Sequence, residues 1–194
     1  MSKGQATTIL ITGASHTGKT LLAQRMLRRF GYPYLSIDHL KMGLIRSGNT
    51  SLTPEDDEEL TAYLWPIVRE MVKTTIENGQ NLIVEGCYIP PSWRADFSEE
   101  YLRSIEFVCL AMTSAYIDAH FDEIRNHACA IEARLDDSCC TPDALKADNR
   151  RCIDAFTRCG EHVTLIDSNY QETLSALVSA LGLRKARILP NPHP

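Results

Sequence analysis

The chain has 194 residues, of which 44% are hydrophobic and 23% are charged, and its formal net charge is −5. These values are typical of one globular domain, and they exclude an intrinsically disordered chain, a collagen and a coiled coil. The acidic balance argues against nucleic acid as a partner, because a phosphate backbone is bound by a basic surface. No run approaches the ~20 apolar residues of a membrane-spanning helix, and the first residues do not resemble a secretory signal. We therefore expect a cytoplasmic protein with no membrane partner.

The seven cysteines are expected to be reduced thiols. Their number is odd, and no two of them are spaced as C-x-x-C. Cys87 and Cys109 lie inside or beside apolar runs, where a free thiol packs as a small hydrophobic group. We expect only the pair Cys139–Cys140 to be exposed.

Five short apolar segments predict β-strands, and longer helical patterns separate them. The predicted strands are residues 7–12, 34–37, 82–85, 105–112 and 162–167. Runs such as Ile9-Leu10-Ile11 are continuously apolar rather than alternating, so both faces of the sheet should be covered. The pattern predicts an α/β fold with a parallel sheet and right-handed crossovers.

Two of the helices between these strands carry clear start and stop signals. Thr53 followed by proline predicts a helix start, and Asn78-Gly79 predicts its end, while Pro66 inside that span predicts a kink or two helices. The acidic run 55–59 is interpreted as the solvated start of this helix. Thr141 followed by proline starts another helix, which Gly160 ends. Residues 188–194 hold three prolines and are expected to form a loose tail.

A glycine-rich motif with the pattern G-x-x-x-x-G-K-T follows the first predicted strand and opens a helix. By chance this pattern occurs in about one chain in a hundred of this size, and the strand-to-helix context makes chance rarer still. Backbone N–H groups of such a loop bind phosphate oxygens, the lysine adds a charge, and the threonine hydroxyl binds Mg²⁺. The residues predicted to bind ATP are Gly13, Ala14, Ser15, His16, Thr17, Gly18, Lys19, Thr20 and Leu21.

The third predicted strand ends in Glu85, and phosphate-binding sites with such a loop also use a carboxylate at the end of a strand. Glu85 would hold a Mg²⁺-bound water at the C-terminal edge of the sheet, which makes Thr20 and Glu85 the predicted metal residues. The usual pattern has Asp at this position, whereas this sequence has Glu85. Gly86 begins a turn that could bring the backbone close to a ligand. Glu85 and Gly86 are therefore also predicted to contact the substrate.

Asp38 stands at the end of the second predicted strand, on the same edge of the sheet as the glycine-rich loop. One interpretation is that Asp38 only caps the helix that follows. The other is that its carboxylate faces the γ-phosphate, orients an acceptor hydroxyl and takes its proton. Arg46, two helical turns further on, would grip an anionic acceptor or lie solvated on the surface.

Together these stretches resemble small-molecule kinases of the adenylate-kinase-like P-loop group. Those most similar are 2-phosphoglycerate kinase, the zeta toxins and chloramphenicol phosphotransferase, and the likeness runs from about residue 7 to residue 170. The resemblance implies a three-layer α/β/α fold with a five-stranded parallel sheet, ATP and Mg²⁺, and an acceptor site near Asp38. Cys87 and Tyr88 depart from it, because 2-phosphoglycerate kinases usually have a histidine after the Glu-Gly pair.

The resemblance also implies a small helical lid that carries arginines. We place the lid at residues 121–140, within a single kinase domain of residues 1–194, and its candidate arginines are Arg125 and Arg134. In related kinases the region corresponding to residues 167–170 contacts adenine. The prediction is a Mg²⁺-dependent phosphotransferase, a monomer or homodimer, that moves the γ-phosphate of ATP to a small anionic or hydroxyl-bearing acceptor, with Lys19, Asp38 and the two arginines as catalytic residues. The alternative is a nucleotide-binding regulator or ATPase switch without an acceptor.

Overall fold

The computed structural model describes residues 6–127 and 140–186. Its five strands are β1 (Thr8–Gly13), β2 (Tyr34–Ser36), β3 (Leu82–Glu85), β4 (Ile105–Met112) and β5 (Val163–Ile166). They form one sheet in the order β2-β3-β1-β4-β5, and every neighbouring pair is parallel. The predicted five-stranded parallel sheet is confirmed, with β3 and β4 at the predicted residues and the other strands within one residue at each end.

Helices cover both faces of this sheet. They are α1 (Lys19–Phe30), α2 (Ile37–Arg46), α3 (Asp57–Glu77), α4 (Glu99–Leu102), α5 (Ser114–His127), α6 (Pro142–Arg158) and α7 (Tyr170–Ala186), with a 3₁₀ turn at Trp93–Asp96. Ile9 and Ile11 pack against buried residues of α1 and α7, whereas Leu10 belongs to the core built by α3 and Phe156 of α6. Successive residues of a strand face opposite sides, so two cores require the unbroken apolar run in β1. The three-layer α/β/α prediction is confirmed.

The predicted start of α3 is wrong. The helix begins at Asp57, because the Asp56 carboxylate accepts hydrogen bonds from the backbone N–H of Thr53 at 2.7 Å and from its hydroxyl at 2.9 Å. These bonds hold residues 53–56 in a turn before the helix. The Thr53 side chain is therefore a donor to Asp56 and caps no helix.

Pro66 does not divide α3, which runs as one helix from Asp57 to Glu77. A proline removes one backbone hydrogen bond and leaves the carbonyl four residues earlier without its usual donor. Both Ala62, which carries that carbonyl, and Pro66 are exposed, so water can replace the lost bond. The buried stripe on the other side then keeps the helix packed; its members are Leu60, Leu64, Trp65, Val68 and Val72.

The predicted start of α6 is confirmed. The Thr141 hydroxyl accepts a hydrogen bond from the N–H of Ala144 at 3.2 Å, and Pro142 is the first helical residue. Residues 121–127 of the predicted lid are the last part of α5. The remaining lid residues 128–139, and the predicted tail 188–194, lie outside the described residues.

The cysteine prediction is correct for Cys109, which is buried, and wrong for Cys87, which is exposed. Cys87 is the second residue after β3, where the chain has left the sheet. Cys140 is half-buried rather than exposed, and Cys139 lies outside the described residues. Cys159 is exposed, so the prediction that only the pair Cys139–Cys140 is exposed is wrong there too. Within residues 6–127 and 140–186, no helix is long and apolar enough to cross a membrane.

Candidate active site

The glycine-rich loop connects the end of β1 to the first residue of α1. Its Ala14 carbonyl accepts hydrogen bonds from the Lys19 ammonium and the Thr17 hydroxyl, each at 2.8 Å. The first turn of α1 contains no acidic residue, so the positive end of the helix dipole is not neutralised there. Backbone, dipole and lysine therefore converge on one place, which suits an anion such as a phosphate group.

Gly18 cannot be replaced by a larger residue in this loop. Its φ is +81°, and a Cβ atom added there would lie 1.8 Å from the hydroxyl oxygen of Tyr170. His16 also has a left-handed backbone, with φ of 64°. Tyr170 begins α7 and lies in the predicted adenine-contacting region, so the structure places that region directly beside the loop.

An acidic side chain contacts the loop from α6. The Asp148 carboxylate accepts a hydrogen bond of 2.8 Å from the backbone N–H of Ser15. This N–H is one of the groups predicted to face phosphate. A carboxylate of the protein itself therefore accepts a hydrogen bond from a group that is predicted to bind an anion.

Thr20 and Glu85 meet as the metal prediction requires. The Thr20 hydroxyl donates to Glu85 Oε1 at 3.3 Å, and Glu85 ends β3 with only 1% of its surface exposed. Its other oxygen, Oε2, accepts a hydrogen bond of 2.9 Å from the hydroxyl of Tyr34. Mg²⁺ prefers hard oxygen ligands, and a hydroxyl beside a carboxylate at the phosphate loop fits that preference. Thr20 and Glu85 are the residues that could hold the ion.

Asp38 is not at the end of a strand, because β2 ends at Ser36 and Ile37 already begins α2. It lies in the first turn of that helix, where Ser36 and not Asp38 occupies the capping position. Its carboxylate is 3.0 Å from the Lys41 ammonium, one turn further along the helix, and its side chain is 33% exposed. An ion pair with a partly open carboxylate leaves Asp38 able to accept a further hydrogen bond from a ligand.

Lys41 continues this contact into a chain of polar groups. It donates a hydrogen bond of 2.8 Å to the Tyr88 hydroxyl, and that hydroxyl donates at 3.2 Å to Asp57 Oδ1 at the start of α3. Tyr88 is buried, and burial together with the nearby negative groups raises the pKa of its phenol, so it remains a neutral donor. The chain joins α2, the segment after β3 and α3.

Cys87 lies near charged groups of both this chain and the phosphate loop. Burial of the thiol among neighbouring atoms raises its pKa to about 11, although the residue as a whole is exposed. Four charged groups lie close enough to act on this pKa: Lys19 and Lys41 lower it, whereas Asp38 and Asp57 raise it. The strand register agrees: Ser36, two residues before Asp38, stands opposite Glu85, and Thr20 of the loop bonds Glu85, so the loop and Asp38 lie at the same edge of the sheet.

The remaining predicted residues are less closely grouped. Gly86 packs against Ile37, where an added Cβ would lie 2.8 Å from the Cβ of Ile37; its contact with substrate stays a prediction. Arg46 is exposed at the end of α2. Arg125 is exposed on α5, with Asp122 at 3.9 Å and the Phe121 ring at 5.9 Å. Arg134 lies outside the described residues.

Sequence reasoning missed five residues of this site: Tyr34, Lys41, Asp57, Tyr88 and Asp148. The spacing of three between Asp38 and Lys41 was a usable signal, since such residues meet on one helix face. Asp57 was assigned to a solvated acidic run. Nothing local marks the other three, because their partners lie 51, 31 and 133 positions away in the sequence.

Comparison with known proteins gives matches only among solved structures. No protein-family model matches the chain, and no curated protein does. A sugar kinase from Janibacter sp. HTCC2649 superposes with a TM-score of 0.55 at 15% identity, covering 96% of this chain and 99% of its own.

Two shikimate kinases give the same picture. The Bacteroides thetaiotaomicron protein has a TM-score of 0.52 at 16% identity, covering 91% of this chain and 98% of its own. The Acinetobacter baumannii protein, solved in complex with shikimate, has a TM-score of 0.55 at 14% identity, covering 94% and 96%. At these identities the likeness shows the fold alone: the chain has the α/β fold of P-loop kinases.

Proposed function

We propose that the protein is an ATP-dependent phosphotransferase that acts on a hydroxyl group of a small molecule. The observation that carries this proposal is that the phosphate loop and Asp38 lie at one edge of the sheet: Thr20 of the loop bonds Glu85 at the end of β3, and Ser36, two residues before Asp38, stands opposite Glu85. A loop that only binds nucleotide has no need of a carboxylate at that place. The fold shared with kinases supports the same conclusion.

On the nucleotide side, the residues of the loop bind and orient the triphosphate. The loop N–H groups and Lys19 leave their contacts with Ala14 and Asp148 and surround the β- and γ-phosphates. Thr20 and Glu85 would hold Mg²⁺, which when bound neutralises charge on the phosphate oxygens. Thr20 and Glu85 already contact each other and need little reorganisation, whereas Ser15 and Lys19 must first release their partners within the protein.

On the acceptor side, Asp38 orients the hydroxyl and accepts its proton. The acceptor oxygen forms a bond to the γ-phosphorus while the bond from that phosphorus to the β–γ bridging oxygen breaks, and ADP leaves. Lys41 keeps the Asp38 carboxylate in place, and the Tyr88 and Asp57 groups form the wall beside it. Arg125 and Arg134 are retained as proposed lid arginines that neutralise charge on the transferring group.

The alternative is a nucleotide-binding regulator or ATPase switch without an acceptor. No N-K-x-D motif for reading guanine is present in the sequence, which argues against a GTPase switch. The Asp38–Lys41–Tyr88–Asp57 chain favours the kinase, because hydrolysis by water needs no second wall of polar side chains.

The test is ADP formation from ATP and Mg²⁺, measured with the protein alone and with pooled hydroxyl-bearing metabolites. We expect the pool to raise the rate at least tenfold above the basal ATPase, and Asp38→Asn to remove that increase. Asp143→Asn is the matched control, since Asp143 also lies in the first turn of a helix and pairs with a lysine three residues later, at 3.3 Å. ATP hydrolysis that no acceptor stimulates would support the switch instead.

A further inference from the structure

We propose that Tyr34 is a positioning residue for Glu85 and that its hydroxyl sets how strongly Mg²⁺ promotes ATP binding. This inference rests on the proposed function, because it assumes that ATP and Mg²⁺ bind at the loop. Tyr34 belongs to no recognisable motif. It is singled out only by its contact with the carboxylate that ends β3.

Glu85 is held at both of its oxygens. The Tyr34 hydroxyl donates to Oε2 at 2.9 Å, and the Thr20 hydroxyl donates to Oε1 at 3.3 Å. The residue is 1% exposed, so an ionised carboxylate there depends on protein donors in place of bulk water. These donors on the two oxygens restrain the plane of the carboxylate and turn Oε1 toward the loop.

Sheet geometry explains why Tyr34 can reach this carboxylate. In the parallel register of β2 and β3, Tyr34 stands opposite Ile83, two residues before Glu85. Residues two apart in a strand face the same side, so Tyr34 and Glu85 are diagonal neighbours on the face covered by α1. The Tyr34 ring packs against the core on that face, which holds its hydroxyl in place.

The two hydrogen bonds have different roles at Glu85. The longer bond, to Thr20, lies where the ion would be held, and the shorter bond, to Tyr34, anchors the opposite oxygen. Removing the Tyr34 hydroxyl leaves that oxygen without this donor and allows the carboxylate to turn away from Thr20. ATP contacts made by the loop itself do not pass through Glu85. The loss should therefore appear only in the part of the ATP affinity that depends on Mg²⁺.

The experiment is calorimetric titration of ATP into Tyr34→Phe, once with Mg²⁺ and once with EDTA. We expect the gain in affinity from Mg²⁺ to fall about three- to tenfold, which is the range of one typical intramolecular hydrogen bond. The affinity in EDTA should equal that of the wild type. Tyr63→Phe is the control, because it removes a tyrosine hydroxyl that donates at 3.1 Å to the Asn49 carbonyl, away from the loop.

A double-mutant cycle with Glu85→Gln separates positioning from a general structural role. If Tyr34 acts through Glu85, Tyr34→Phe should change the Mg²⁺ gain no further once Glu85 is Gln. A Tyr34→Phe protein that is less heat-stable but keeps the full Mg²⁺ gain would overturn this inference and leave the proposed function intact. A wild-type protein that binds no ATP would overturn both.

Discussion

The proposed active site has two sides, a nucleotide wall and an acceptor wall, and they are built in different ways. The nucleotide wall comes from one continuous stretch, residues 13–20, and its binding groups are mostly backbone N–H groups and one lysine. The acceptor wall is a chain of side chains from three separate segments: Asp38 and Lys41 of α2, Tyr88 after β3, and Asp57 of α3. Local backbone geometry suits phosphate, which every reaction of this kind shares. Side chains from distant segments suit the acceptor, whose identity differs between kinases.

The largest effect should come from the nucleotide wall. We expect Lys19→Ala to lower phosphoryl transfer by at least about a thousandfold, because it removes a charge that stabilises the transferring group in a site shielded from water. Thermal stability should change little, since what the Lys19 ammonium contributes to the loop within the described residues is a hydrogen bond to the Ala14 carbonyl. Lys73→Ala on α3 is the control. A rate within about threefold of the wild type would refute the P-loop assignment.

A substitution in the acceptor wall should change turnover much more than ATP affinity. Asp38→Asn deletes the proton acceptor without touching a phosphate contact, so we expect turnover to fall about a hundredfold or more while ATP affinity stays within about twofold. Rate assays beside ATP titrations measure the two quantities. Equal losses of rate and ATP affinity would place Asp38 on the nucleotide wall and contradict the comparison.

Tyr88 tests whether the acceptor wall is a connected network. Tyr88→Phe leaves the Lys41 and Asp57 side chains without a shared buried hydroxyl, and we expect the free energy of unfolding to fall by about 1–3 kcal/mol. Tyr101→Phe provides the comparison, because its hydroxyl bonds Glu77 at an exposed site, where the loss should be smaller. Denaturant unfolding measures the free energy of unfolding of both variants. Equal decreases would mean that the hydrogen bonds of Tyr88 contribute no more than an exposed hydrogen bond does.

The smallest effect concerns Asp148, the acidic residue of α6 that contacts the loop. Asp148 holds the Ser15 N–H and must release it when phosphate binds, so Asp148→Asn should raise ATP affinity about three- to tenfold. Asp154→Asn is the matched control, since Asp154 is exposed on the same helix. An unchanged or weaker affinity in Asp148→Asn would show that the carboxylate does not compete with ATP.

Most of the sheet and the nucleotide wall could be predicted because their signals are local. A buried strand with both faces covered must be apolar throughout, as Ile9, Leu10 and Ile11 are, and a phosphate loop needs its glycines at fixed spacings. The start of α3 failed because Thr53 and Asp56 compete for the role of cap, and propensity alone does not rank them. The prediction that Cys87 is packed was wrong because apolar neighbours in the sequence do not reveal that the residue is exposed after β3.

The sequence by itself determined the α/β class, the phosphate loop, and the carboxylates Asp38 and Glu85 as candidates, because each depends on residue type and on spacings of a few residues. Only the tertiary structure decided which side chains stand beside them. Parallel register brings Tyr34 to Glu85, and packing of α3 against the sheet brings Asp57 to Tyr88. Such contacts join residues far apart in the chain, and their geometry exists only once the sheet and its covering helices have assembled.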